Sequence, residues 1–125
     1  MLVAKILVVD DQMGVRRLLF EAFSDEGHVV EMAENGAMAL EILKDFSPEL
    51  IIMDMKMPEK NGIDTLREIR SFNKDVEVIM MTAYGDSKIK SLAEEHGIKY
   101  YVNKPFDLFE LRDTVREILK GNQTA

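Results

Sequence analysis

The sequence predicts an α/β domain in which a parallel sheet is covered by helices on both faces. Short apolar blocks alternate five times with longer segments of helical period, the pattern of successive βα units. Residues 6–9, 50–53 and 76–81 read as apolar runs rather than alternating patterns, as strands buried on both sides should. No break in composition separates the units, so one domain is expected rather than two.

Each element has a local reason. Ile6-Leu7-Val8-Val9 forms the first strand and ends at Asp10-Asp11. Val15, Leu18, Leu19, Ala22 and Phe23 then recur on one helical face, and Gly27 is expected to stop that helix. Val29, Val30 and Met32 mark the second strand. Asn35-Gly36 opens a helix carrying Ala39, Leu40 and Leu43, which Ser47-Pro48 should close because a residue before proline is driven out of the helical region. The third strand, 50–53, leads through a loop with Pro58 and Gly62 to a helix presenting Leu66 and Ile69. The fourth, 76–81, precedes Ile89, Leu92 and Ala93, with Gly97 as the stop. Tyr100 to Val102 is the fifth. Its helix has a readable start: Asp107 as cap, Glu110 three positions on, and Phe106 placed to staple onto Leu111. Leu111, Val115, Ile118 and Leu119 form the stripe, and Gly121 is the expected C′ residue.

Composition removes several function classes. The 125 residues hold 16 Lys and Arg against 23 Asp and Glu, a net charge of −7, with the basic residues scattered among acids. A nucleic-acid surface needs clustered cations, so direct DNA or RNA binding is not expected. With no cysteine, disulfides, thiolate nucleophiles and Cys-ligated metals are excluded, and a reducing compartment, the cytoplasm, is the expected location. No apolar run approaches the ~20 residues of a membrane span. The acids at Asp10-Asp11 so close to the apolar start argue against a secretory signal.

In an open parallel sheet ligands gather at the carboxyl ends of the strands. There the sequence places Asp10-Asp11, Asp54, Thr82 and Lys104, with nothing comparable after the second strand, as suits a strand at the sheet edge. Three converging carboxylates repel one another, which should raise at least one pKa and attract a cation. Oxygen-only donors select a hard ion. Mg²⁺ fits best, with Mn²⁺ or another hard divalent cation as substitutes. Magnesium beside a lysine and a hydroxyl points to phosphoryl chemistry, in which Lys104 and Thr82 would neutralise and orient the phosphoryl oxygens. Asp54 would be the attacking carboxylate, and Lys56, two residues on, could offer the ion its backbone carbonyl. Ala83, small, would leave that carboxylate open. His28 and His96 stand apart from any motif and read as structural, and no glycine pattern suggests a nucleotide site.

These residues resemble a known family. Val8-Val9-Asp10-Asp11-Gln12, Met53-Asp54-Met55-Lys56-Met57-Pro58, Gly62, Met80-Met81-Thr82-Ala83-Tyr84-Gly85 and Lys104-Pro105-Phe106 look like the receiver domain of bacterial response regulators, over roughly residues 4–120. The resemblance implies a doubly wound, flavodoxin-like (βα)5 fold with strand order 2-1-3-4-5 and a cis bond before Pro105. It implies Asp54 as phosphoacceptor, and Asp10, Asp11, Asp54 and the Lys56 carbonyl as the Mg²⁺ site. Thr82 and Lys104 would bind the phosphoryl group, and Tyr101 would be the aromatic that follows Thr82 inward. The turn Glu59-Lys60-Asn61-Gly62 departs from the usual family wording in its local loop only.

The wording of the motifs is nearest to the stand-alone phosphorelay receivers of sporulation initiation. On that resemblance the chain, one receiver domain over 1–125 with no output domain, takes a phosphoryl group from a sensor histidine kinase and passes it to a histidine of a downstream phosphotransferase. The same resemblance implies an aspartyl-phosphate phosphatase as a further partner and a monomeric state. Met13 and Phe20 lie off the apolar stripe of the first helix, which therefore carries surplus hydrophobic surface. The resemblance assigns the docking rim to Gln12, Gly14, Val15, Leu18, Pro105 and Phe106. Two rivals remain: a binding module switched by phosphorylation, and a magnesium-dependent phosphatase. The latter class usually has a second acid where Lys56 stands.

Overall fold

The computed structural model describes residues 3–56, 61–83 and 87–124. Met57, Pro58, Glu59, Lys60, Tyr84 and Gly85, all named in the motifs above, lie outside them. Five strands and five helices alternate: β1 Lys5–Val9, α1 Met13–Asp25, β2 Val29–Ala33, α2 Gly36–Ile42, β3 Leu50–Asp54, α3 Gly62–Phe72, β4 Glu77–Ala83, α4 Ser87–Glu94, β5 Tyr100–Lys104 and α5 Leu108–Thr124. The strands form one parallel sheet in the order β2-β1-β3-β4-β5, so β2 is indeed an edge.

Successive side chains on a strand point to opposite faces, and here both faces are dry. Ile6, Val8, Leu50, Ile52, Ile79 and Met81 pack on one side with Leu19 and Phe23 of α1 and Leu111, Val115, Ile118 and Leu119 of α5. Leu7, Val9, Ile51, Met53, Val78 and Met80 pack on the other with Ala39, Leu66, Ile69 and Ala93 of α2, α3 and α4. Double burial explains why these strands read as unbroken apolar runs.

The helix boundaries follow local chemistry. Gly27 and Gly97 take left-handed φ values of 92° and 80° and end α1 and α4, conformations that cost a side-chain-bearing residue. Asn35 and Asn61 cap α2 and α3 by accepting from Met38 N–H (2.8 Å) and Asp64 N–H (2.9 Å). Asp107 Oδ1 accepts from Phe109 and Glu110 N–H at 2.8 and 3.3 Å, and Phe106 packs in the same cluster as Leu111.

Three expectations need correction. Helix α2 stops at Ile42, before Ser47-Pro48 can act. Its last carbonyls accept from Leu43, Lys44, Asp45 and Phe46 in tightening turns, which bring Leu43 and Phe46 onto the core. Helix α5 runs through Gly121 to Thr124. Glycine permits a left-handed C′ residue without requiring one, and a side chain at 121 would touch no neighbour, so no packing rewards a turn there. Strands β3, β4 and β5 extend past their apolar blocks to Asp54, Ala83 and Lys104, because ladder hydrogen bonds set a strand's end, whatever the polarity of its side chains.

Candidate functional site

Register brings the site together. Met81 lies opposite Asp54, and Lys104 lies opposite Ala83, so Asp54 and Lys104, which end β3 and β5, and Thr82, one residue before the end of β4 between them, gather at the carboxyl edge of the sheet. Asp10 follows β1 immediately, and its backbone N–H donates to Ala33 O of β2 at 3.1 Å. Gly62 at the start of α3 lets that helix close against the site. A Cβ there would stand 2.7 Å from the Met55 Cα, a distance no side chain tolerates.

Asp10, Asp11 and Asp54 each offer a carboxylate oxygen within 4.8 Å of the others. Asp10 is fully buried and Asp54 is 5% exposed, whereas Asp11 is exposed. Part of their charge is offset by Lys104, whose Nζ lies 2.6 Å from Asp10 Oδ2 and 3.1 Å from Asp54 Oδ2. It also donates to Gln12 Oε1 at 3.2 Å. Asp10 Oδ1 accepts from Gln12 N–H (2.8 Å), and Asp54 Oδ1 from Lys56 N–H (3.2 Å). Thr82 is 2% exposed on β4 beside them.

Burial pushes the Asp54 carboxyl above the ordinary carboxylate range. The Lys56 N–H opposes the rise, the Asp10 charge adds to it, and Lys104 opposes it again. Repulsion was the cause expected from the sequence; desolvation outweighs it. Burial alone would lower Lys104, but Asp10 first and Asp54 second overcome that and hold its ammonium more firmly protonated than a free lysine.

The donor set fits a hard divalent cation. Among the described residues it consists of three carboxylates without a nitrogen or sulfur ligand, as a hard oxygen-seeking ion requires. Among the described residues, Asp10 Oδ2 is buried and has no hydrogen bond of good geometry, only the Lys104 ion pair. A cavity of about 280 Å³ lined by Asp11, Gln12, Asp54, Lys56 and Lys104 opens onto these oxygens.

Beside it runs a larger groove of about 770 Å³, lined by Gln12, Gly14, Val15, Leu18, Lys104, Pro105, Phe106 and Leu108. All six residues expected at the docking rim lie in it. Leu18 is 44% exposed despite its place on the α1 stripe, and Met13 is 69% exposed. Lys104-Pro105 is cis. Tyr101 is half-buried, its hydroxyl donating to Ile98 O (3.2 Å) and Lys90 O (3.4 Å), with Lys90 Nζ 5.5 Å from its ring. His28 accepts the Ala4 N–H on Nδ1, a structural role as expected.

Two contributors were missed. Leu108, three residues before Leu111, continues that helix's apolar spacing and could have been found. Arg16, whose Nη1 donates to Asp10 O at 2.8 Å, gave no signal beyond lying off the apolar stripe of α1.

A five-stranded doubly wound sheet with this acid cluster and lysine at its carboxyl edge is the architecture of a signalling receiver, and the chain belongs to the response regulator receiver domain family, whose profile matches residues 6–116. Such domains act in two-component signalling. It is 42% identical over 115 residues to sporulation initiation phosphotransferase F of Bacillus subtilis, covering 92% of this chain and 93% of that protein. It is 34% identical to the chemotaxis protein CheY of Halobacterium salinarum, covering 92% of this chain and 96% of that one. Against the regulatory protein AtoC of Escherichia coli the identity is 42% over 93% of this chain, but the match spans only 25% of that protein. Among solved structures, the receiver domain of Francisella response regulator 1452 superposes with a TM-score of 0.86 at 28% identity, covering 95% and 98% of the two chains. A receiver domain protein from Clostridium thermocellum gives 0.87 at 30% identity, covering 97% and 98%. Among the described residues, no helix is long and apolar enough to cross a membrane.

Proposed function

We propose that this chain is a phosphorelay receiver: Asp54 accepts a phosphoryl group from the phosphohistidine of a sensor kinase and yields it to a histidine on a downstream phosphotransferase, as in sporulation initiation. The observation that carries the reading is Asp54 itself, buried in an acid cluster, bonded to Lys104, and opening beside an apolar groove. In transfer the P–N bond of the donor histidine breaks as a P–O bond forms to an Asp54 oxygen, and the return step reverses this. Asp10, Asp11, Asp54 and the Lys56 carbonyl would hold Mg²⁺, which when bound neutralises phosphoryl charge. Lys104 and the Thr82 hydroxyl bind the remaining phosphoryl oxygens, and Tyr101 reports the change by shifting with Thr82.

The groove supports the second half of the reading. Val15, Leu18 and Phe106 supply an apolar floor and Gln12, Gly14 and Pro105 the rim nearest Asp54, a surface suited to the flank of a helix carrying the reacting histidine. An aspartyl-phosphate phosphatase would use the same face. The chain works as a cytoplasmic monomer. A phosphorylation-switched binding module is the second reading. It is favoured by the match to part of AtoC, a regulatory protein of which this chain spans a quarter.

The test is labelling with a small phosphodonor and Mg²⁺, followed by addition of a purified histidine phosphotransferase. Wild-type protein should label and then transfer, while Asp54→Asn should not label at all. Labelling of Asp54→Asn at the wild-type rate refutes the site, and labelling without transfer leaves the binding module as the function.

A further inference from the structure

The geometry points to Arg16 as a positioning residue for the cation site, acting through the peptide that joins Asp10 to Asp11; this rests on the reading of that acid cluster as a cation site. Asp11 is the exposed member of the cluster, and among the described residues its carboxylate has no hydrogen bond to hold it. Where that carboxylate points therefore depends on the plane of the Asp10–Asp11 peptide, which is rigid in itself but free to rotate as a unit. Arg16 removes that freedom. Its Nη1 donates to Asp10 O at 2.8 Å, the oxygen of that very peptide. Its other arm reaches Glu34 Oε2 just past β2 at 4.0 Å, with the arginine side chain only 16% exposed.

The other restraints on Asp10 fix different atoms. Its N–H is bonded to Ala33 O, and its carboxylate is shared between Gln12 N–H and Lys104. Among the described residues, Arg16 alone holds the carbonyl. Arg16 sits in the first turn of α1, its own N–H bonded to Gln12 O. The guanidinium thus ties the β1–α1 turn both to its helix and to the edge strand.

Electrostatics and positioning predict opposite signs, which makes the inference decidable. Arg16 is a cation bonded to the backbone at the acid cluster, so if charge alone mattered, its removal would tighten binding of a divalent ion. If it positions Asp11, removal weakens binding although a repelling charge has gone. The experiment is direct titration of the unphosphorylated full chain with Mn²⁺, followed by electron paramagnetic resonance, and with Mg²⁺ by competition, with no phosphodonor present. We expect Arg16→Met to weaken binding about tenfold, Arg16→Lys to stay within about threefold of wild type by keeping one donor, and Glu34→Gln to fall between them. Unchanged or tighter binding by Arg16→Met overturns the inference. If Arg16→Met does not fold, Arg16→Gln decides in its place, since it too removes the repelling charge: weakened binding supports the inference, and unchanged or tighter binding overturns it. Failure of wild-type protein to bind either ion is a separate result, which overturns the cation site and this inference with it.

Discussion

Lys104→Met is the most informative single change, because it removes the ammonium paired with Asp10 and Asp54 and keeps most of the aliphatic stem. The lysine Nζ lies 2.6 Å from a fully buried Asp10 and 3.1 Å from an Asp54 side chain that is 7% exposed. Stranding one member of a buried charge pair typically costs about 3–5 kcal/mol. The lysine side chain is itself 20% exposed, and Asp54 can take up a proton, so we expect the lower end, about 3 kcal/mol at pH 7 in chelator. Two further results follow. Mg²⁺ held by these carboxylates would compete with the ammonium for their oxygens, so saturating Mg²⁺ should stabilise the variant more than the wild type. A native-state ligand at a hundredfold excess over its Kd contributes about 2.7 kcal/mol. Acid should narrow the gap as well. The folded-state pKa of Asp54 is raised above 3.8, so the native state holds that proton more tightly than the unfolded chain, and the stability it contributes below 3.8 is lost as pH rises through the folded value. Without Lys104 that rise is larger. Urea denaturation followed by circular dichroism, with and without Mg²⁺ at pH 5 and 7, measures all of this. A loss below about 1 kcal/mol at pH 7, or equal Mg²⁺ increments in the two proteins, would refute Lys104 as the counter-charge.

Two other predictions concern the frame around the site. His28 has its pKa lowered from 6.5, chiefly by burial and against the pull of Glu26 and Glu49, and its Nδ1 must stay unprotonated to accept the Ala4 N–H at 3.0 Å. Its contribution is therefore complete above pH 6.5 and lost as pH falls below it. His28→Leu should flatten the dependence of the urea midpoint on pH between about 5 and 7 while lowering stability by about 1 kcal/mol for the unpaired amide, and an unchanged slope would count against the assignment. Gly62→Ala must push α3 off the Met55 backbone, which its Cβ would meet at 2.7 Å. A loss of about 1–3 kcal/mol is expected, with slower labelling of Asp54, and a variant with wild-type melting and labelling would contradict the close approach.

The fold was legible because two periodicities with separate physical causes are both strong here. Strands β1 and β3 are buried on both faces, so 6–9 and 50–53 could not be mistaken for amphipathic elements. The Asn35 and Asp107 caps and the left-handed Gly27 and Gly97 mark helix ends whose chemistry is entirely local. The errors came where local chemistry permits an outcome that tertiary packing then decides. Pro48 disfavours helix at Ser47 but says nothing about how much earlier α2 stops, and the turn that packs Phe46 against the core stops it at Ile42. Gly121 allows a helix to end, and α5 does not.

The site divides along the same line. Asp10, Asp54, Thr82 and Lys104 were visible because the carboxyl ends of parallel strands must converge, and residues 50 apart in the chain, such as Asp54 and Lys104, become neighbours through register alone. What the sequence could not supply is which group neutralises which. Repulsion among the acids was the natural expectation, yet desolvation dominates at Asp54, because the strand that delivers the carboxylate also buries it. Lys104 can therefore serve only one side of the cluster at a time at full strength, and it sits closer to Asp10 than to Asp54. A carboxylate that is buried, imperfectly neutralised and still reachable from a cavity is poorly suited to stabilising a fold. It is well suited to gaining a phosphoryl group, since a cation on Asp10 and Asp11 would release Lys104 toward Asp54, where the new negative charge would appear.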